Sequence, residues 1–482
     1  MEAARIDPRT AALLRAPILP LLLRMAWPNV VVMVAQAASG LIETFWVSRL
    51  GTDALAGMAL VFPAVMLMQM ISAGSLGGAI SSSIARALGA RRTEDADALV
   101  VHALIASVAI GSVCSVLALV FGRELYAALG GRGGSLAAAL AYSNVVFAGN
   151  VLLWIMNALA SAVRGTGNML VPALVVCAGV LILVPLSPVL IYGLGPFPAL
   201  GIAGGGVAMV ISFATGAAVL GWYVLSGRSV VRLTAVRLRA KLFGDILSVG
   251  AVATVSSVQT NVTIGVATAL VASVAGPEGV AGYGTGARLE YLLIPLVFGL
   301  GAPLVALVGT NLGAGQPERA LRIAFTGGAI AFALTEAIGL AAALRPAAWL
   351  SLFGHDPAML ATGSAYLRAA GPFYGFFGLG LSLYFASQGA GRLRWPLVAG
   401  FVRMGVALVG GWLAVRLTGS AGGLFVALAA GMLLYGVLVL AAVVSGSWFQ
   451  DTSQDRTARF AMVLHSFGVR PGGSRGNPGE AR

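Results

Sequence analysis

The chain has 482 residues, 59% hydrophobic and 10% charged, with 30 Lys and Arg against 17 Asp and Glu. Soluble domains carry roughly 25% charge, so this composition excludes an ordinary water-soluble globule and points to a bilayer. The formal charge of +13 raises nucleic-acid binding as a rival, but the basic residues are dispersed over short loops rather than gathered on one face, which argues against it.

A bilayer-spanning helix needs about 20 apolar residues. Breaks at Gly, Pro and charge clusters predict twelve such spans: 18–48, 54–86, 98–121, 135–162, 170–194, 201–226, 244–275, 280–311, 318–344, 358–388, 394–417 and 421–446. The first is too long for the core of a secretory signal and contains no small-residue cleavage site. Several are longer than a bilayer requires, which predicts tilt, kinks or extension into the cytoplasm. Segment 1–17 precedes the spans, 227–243 with five basic residues joins two sets of six, and 447–482, rich in Gly, Ser and Arg, is expected to be disordered.

Basic residues set the orientation. With the N-terminus inside, the inner segments hold Arg86, Arg91, Arg92, Arg164, the linker cluster, Arg319, Arg322, Arg392 and Arg394. The outer ones hold only Arg49, Arg123, Arg132, Arg345, Arg368 and Arg416. The positive-inside rule therefore predicts that both termini are cytoplasmic.

The second half repeats the first at an offset of about 224 residues. Leu88-Gly89-Ala90 with Glu94 and Ala96 recurs as Leu312-Gly313-Ala314 with Glu318 and Ala320. Arg164-Gly165-Thr166-Gly167-Asn168 with Pro172 recurs as Gln388-Gly389-Ala390-Gly391-Arg392 with Pro396. Six crossings return a chain to the same side, so the halves form parallel repeats, as in secondary transporters that rock about a central site. Gly89 and Gly313 are expected to make left-handed turns after the second and eighth spans.

Ionisable side chains inside spans are costly, so each is a functional candidate. Glu43 leads. Asn29, Gln36 and Glu43 are spaced by seven and share one face of the first span, a polar stripe that fits a water-accessible cavity. A carboxyl group there can take up and release a proton; snorkelling to the interface or pairing with Arg49 is the structural alternative. Arg288 and Glu290 open the eighth span on different faces, and each needs a partner elsewhere, for an ion pair or for transport. Glu336 fits a helix-to-helix hydrogen bond, and Arg403 is the remaining basic residue well inside a span.

Asn150, Asn157 and Ser161 share a face of the fourth span, and Ser256, Gln259 and Thr263 share one of the seventh. Such residues either line a cavity or bond neighbouring helices. Met66, Met68, Met70 and aromatics such as Phe45, Trp46, Trp154 and Phe377 would suit flat hydrophobic cations, although most are expected to pack or face lipid. Cys114 and Cys177 stand alone, and His102, His355 and His465 are scattered, so no metal constellation is expected.

These residues carry a resemblance. Glu43-Thr44-Phe45-Trp46-Val47-Ser48-Arg49-Leu50-Gly51 with Ala54-Leu55-Ala56 resembles the end of the first helix in multidrug and toxic compound extrusion (MATE) transporters. Ile84-Ala85-Arg86-Ala87-Leu88-Gly89-Ala90 and Arg164-Gly165-Thr166-Gly167-Asn168 with Pro172 are similar to the family's loops after helices two and four. Arg288-Leu289-Glu290, Val308-Gly309-Thr310-Asn311-Leu312-Gly313-Ala314-Gly315 and Gly193-Leu194-Gly195-Pro196-Phe197-Pro198 extend the match over roughly 18–446.

The resemblance implies an all-α membrane protein of twelve helices in two six-helix lobes, 18–226 and 244–446, forming a V around a cavity. It implies export in exchange for protons or sodium, from a monomer in a bacterial inner membrane, with no cofactor beyond the ion gradient. The family's usual aspartate on helix one is Glu43 here; an aspartate before a helix-five proline is Ser187, and an asparagine one turn earlier is Leu183. Where sodium-coupled members place acids on helices seven and ten, this chain has Gln259, Thr260 and Asn261, and Phe373 and Tyr374. Proton coupling through Glu43 is therefore expected. The cavity is expected to draw on Gln36, Asn150, Asn157, Ser187, Gln259, Thr263, Arg288 and Glu290, and the cargo to be a cationic amphiphile. The alternative is a flippase for a lipid-linked oligosaccharide, although only Arg288 and Arg403 would serve an anionic lipid. A membrane-embedded enzyme is the distant alternative; no paired aspartates, His-Glu motif or nucleophile with a base supports it.

Overall fold

In hydrocarbon every backbone N–H and C=O must be satisfied within the chain, and a long apolar run answers this by becoming a helix. The computed structural model describes residues 7–449 and is helical throughout, with no strand among them. The spans are Ile18–Ser48, Thr52–Gly89, Thr93–Ala128, the pair Gly133–Ala148 and Asn150–Gly165, Leu170–Tyr192 and Ile202–Leu225 in the first half. The second half begins with Ala240–Gly313, a continuous 74-residue element folded back at Gly276, whose φ of 63° and ψ of −173° separate the seventh span from the eighth. Pro317–Leu344, Pro357–Ala390, Arg394–Thr418 and Ala421–Val444 complete it. The tenth is interrupted by a 3-10 turn over Gly371–Phe373, and the fourth bends by 47° between its two pieces. Counting the element broken at Gly276 as two and the interrupted helices as one each gives twelve spans among the described residues. The expected disorder of 447–482 lies almost wholly outside them.

The repeat is written in the backbone. Left-handed residues occur at matching places in the halves: Gly51 and Gly276, Arg91 and Gly315, Gly167 and Gly391, Gly195 and Gly419. Gly89 and Gly313 are not among them, which corrects the turn expected there. Each ends its helix in ordinary helical geometry, and the left-handed residue comes two positions later, at Arg91 (φ 59°) and Gly315 (φ 71°). The two glycines serve close approach instead. A methyl at Gly89 would overlap the carbonyl of Thr310, and one at Gly313 would overlap the carbonyl of Arg86. These contacts exchange under the repeat, so the second and eighth spans meet there across a pseudo-two-fold axis.

Side chains fasten the same end of the molecule. Arg86 donates to Ser82 Oγ (3.0 Å), Ser83 Oγ (3.2 Å) and, across the lobes, the carbonyl of Gly389 (3.1 Å). Gln388 reaches back to the carbonyls of Gly74 (3.3 Å) and Ser75 (3.4 Å). The short helix Pro8–Arg15 lies over this seam, with Leu13 against Gly167 of one half and its carbonyl accepting from Asn311 Nδ2 of the other (3.2 Å). The linker is tied to the third span, where Asp97 accepts from the backbone N–H of Arg232 (2.8 Å) and His102 Nε2 accepts from that of Arg239 (2.8 Å).

The second half packs around one continuous core in which Tyr283 stacks on Phe425 and Tyr366 meets both rings edge-on. The first half has several smaller ones. The first span belongs to both halves. Leu22, Met25 and Ala26 join the second half's core, while its far end lies against the fifth span.

Candidate functional site

The polar stripe of the first span divides among three environments. Asn29 is buried and donates to the carbonyl of Met25 on its own helix (3.2 Å). Gln36 lines a central cavity. Glu43, only 3% exposed, is enclosed between the first, fifth and sixth spans. Its Oε2 accepts a hydrogen bond from Ser187 Oγ at 3.0 Å, and its Oε1 is buried with no hydrogen-bond partner. Ser187 stands between Pro185 and Pro188, whose missing N–H groups release the carbonyls of Leu181 and Val184 from helical bonding. Gly205 completes the wall; a methyl there would lie 3.5 Å from Glu43 Oε2 and 3.8 Å from Ser187 Oγ. Arg49 does not pair with Glu43. Its guanidinium lies over Phe45 (4.6 Å) and Trp46 (5.8 Å).

The central cavity, of about 360 Å³, lies between the halves beyond the fastened end. The first and second spans contribute Met33, Gln36, Gln69, Met70 and Ser75, and the seventh contributes Ser256, Ser257, Gln259, Thr260 and Thr263. Aromatic walls come from Phe298, Phe377, Tyr384, Phe385 and Tyr435. The second span opens into π-helix over Met70–Leu76, the stretch that faces the cavity; such bulges occur frequently at functional sites. Of the predicted lining residues, the cavity brings together Gln36, Gln259 and Thr263.

The others stand apart from it. Asn157 donates to Ser72 Oγ (2.8 Å), and Asn150 to Ser115 Oγ (3.3 Å) and the Gly111 carbonyl (3.4 Å); these bonds join helices within the first half. Ser187 serves Glu43. Arg288 lies over the Phe353 ring at 5.7 Å. Glu290 is just outside the cavity, its Oε1 taking a bond from Arg403 Nη2 (3.1 Å) and its Oε2 one from Tyr366 Oη (2.7 Å). Glu336 accepts from the backbone N–H of Gly375 (2.7 Å), a bond between the ninth and tenth spans.

Arg403 is the one charged side chain lining the cavity among the described residues. It was visible in the sequence as an intramembrane cation, but no signal there paired it with Glu290, 113 positions away. Tyr366 carried no signal at all.

Comparison with known proteins places this geometry. One family model, MatE, matches residues 28–189 and 253–413, the same stretch of each half. A FAD transporter of Shewanella oneidensis is 30% identical over 383 residues, covering 78% of this chain and 82% of that protein. A probable multidrug resistance protein NorM of Thermotoga maritima is 23% identical over 389 residues, 80% of this chain and 83% of the other. Among solved structures, a multidrug resistance MATE family transporter in an outward-facing conformation superposes with a TM-score of 0.83 at 23% identity, over 93% of this chain and all of that one. A MOP superfamily transporter from Pyrococcus furiosus, described as having a binding pocket of reversed polarity, gives the same TM-score at 24% identity and the same coverage.

Proposed function

The chain belongs to the MatE family, whose members are multi-pass membrane transporters rather than enzymes, and from that premise we propose that it exports amphiphilic aromatic compounds across the bacterial inner membrane by exchange for protons, with Glu43 carrying the coupling proton. One observation carries the reading. Glu43 is a carboxyl group buried inside the membrane with, among the described residues, one hydrogen bond, one unpartnered oxygen and no ion pair. A lone charge in such surroundings is expensive, and a proton on the free oxygen removes it. Among the described residues Ser187 is the single side chain bonded to it, which supports a proton over a sodium ion requiring several oxygen ligands.

Alternating access supplies the rest. The fastened end closes the cavity on the side assigned to the cytoplasm, so cargo leaves toward the outside. Rocking the halves apart at Gly89 and Gly313 would open the cavity inward. Coupling requires a group whose charge differs between the two conformations, and Glu43 is placed to be that group. The relative named for FAD puts that flat aromatic among the cargoes to be tried, beside multidrug substrates and, for the flippase alternative, fluorescent lipids.

The test is efflux from vesicles holding the purified protein, under a proton or a sodium gradient imposed separately. Glu43→Gln fixes the neutral state and should abolish proton-driven efflux while leaving cargo binding intact; Glu43→Asp should keep partial activity. Full proton-driven efflux by the Gln variant would rule Glu43 out and redirect attention to Glu290.

A further inference from the structure

We propose that the central cavity selects flat aromatic compounds bearing a single anionic group, a carboxylate, sulfonate or phosphate, which Arg403 binds. This rests on the reading of the cavity as the cargo site and reverses the sign of charge expected from the sequence.

The charges decide it. No aspartate or glutamate lines the cavity among the described residues, so a cationic cargo would find aromatic faces but no carboxylate. Glu290, the nearest acid, lies outside the lining and has both oxygens engaged, one by Arg403 and one by Tyr366. It is held in place and is not free to swing toward a cation. Its role is to hold Arg403 in position in a low-dielectric wall. A guanidinium has five N–H donors, and Glu290 takes one of them. The guanidinium carbon of Arg403 lies 4.6 Å from the Phe377 ring centre and 5.8 Å from that of Tyr435, and both rings line the cavity.

Donors matter next. The seventh-span hydroxyls give their hydrogens to their own helix: Ser256 to the Val252 carbonyl, Ser257 to Ala253, Thr260 to Ser256 and Thr263 to Gln259. They offer the cavity lone pairs, which an anion does not want. Gln259, a lining residue, differs, because its Nε2 has no hydrogen-bond partner among the described residues. Gln259 packs against Gly400, one helical turn before Arg403, so rotation of its amide would bring that donor to a group held by Arg403.

Equilibrium binding to the purified protein at neutral pH, followed by probe fluorescence, tests this with three pyrene derivatives of equal size that carry a sulfonate, a neutral amide or a trimethylammonium group. Wild type should bind the sulfonate at least about tenfold more tightly than the ammonium, a difference of about 1.4 kcal/mol. Arg403→Gln combined with Glu290→Gln removes the charge without stranding its partner. That variant should lose the sulfonate preference and bind the sulfonate and the amide alike. Gln259→Met, which leaves the ion pair intact, should weaken the sulfonate more than the amide. A wild-type preference for the ammonium, or a sulfonate preference that survives in the double variant, would overturn the proposal. Binding needs no gradient, so failure of vesicle efflux with the sulfonate preference intact would sink the exporter reading alone. Efflux without that preference would sink only the anion site.

Discussion

Replacing Gly89 with alanine places a methyl where the carbonyl of Thr310 already sits, and replacing Gly313 does the same at Arg86. Neither neighbour is a flexible side chain that can turn away; both are helical backbone. Ordinary contact can be restored only by moving the second and eighth spans apart by on the order of 1 Å, and overpacking of this kind costs about 1–3 kcal/mol. Taking about 2 kcal/mol, each single substitution should shift the balance between closed and parted seam by roughly 30-fold. The two sites lie one helical turn apart in the same seam, so parting it for the first relieves the second. The double variant should therefore cost clearly less than the sum. The assay is the labelling rate of a cysteine at Val305, fully buried here and packed against Gly389, in a protein with Cys114 and Cys177 replaced. Gly40→Ala is the control, since a methyl at Gly40 meets nothing within 4 Å. Labelling that accelerates for Gly89→Ala and Gly313→Ala but not for Gly40→Ala is the expected result. Equal rates in all three would refute the idea that these glycines set the closure of the seam.

Other substitutions probe separate links. Ser187→Ala removes the one hydrogen bond to the Glu43 carboxyl, and bonds to charged groups are worth about 1.5–3 kcal/mol; proton-driven efflux should slow by about tenfold or more, and an unchanged rate would separate Ser187 from coupling. Arg91→Gly relieves a left-handed residue whose counterpart in the second half is already Gly315; thermal unfolding in detergent should show a gain of about 1 kcal/mol, while a loss would mean that the arginine side chain is structurally required. His102→Ala takes the acceptor from the Arg239 N–H and should cost about 1–3 kcal/mol by the same measurement; a melting temperature equal to wild type would show that water replaces the imidazole. Single cysteines at Arg237 and Ala199, both exposed, test orientation: an impermeant thiol reagent applied to intact cells should label the second and spare the first, and the reverse would invert the topology.

Membrane class, the approximate course of the spans and the duplication were legible in one dimension. The predicted first span, 18–48, coincides with the helix Ile18–Ser48, because apolar length in hydrocarbon leaves the backbone no other way to satisfy its hydrogen bonds. The same economy marked Glu43, since an acid inside such a run has to be accounted for. Helical spacing put residues on shared faces, but a face does not name the helix that will meet it. Asn157 and Gln259 carry the same kind of polar signal; one meets Ser72 inside a lobe and the other meets the cavity. Glu290 needed a partner, and only packing of the eighth, tenth and eleventh spans supplied Tyr366 and Arg403. Gly89 and Gly313 stood out as repeated glycines, and a turn was the local reason for them. Their actual reason is non-local: two helix backbones touch there. Local sequence specifies which groups must be buried and satisfied, whereas the identity of each partner depends on contacts between spans far apart in the chain, which exist only once the helices have packed.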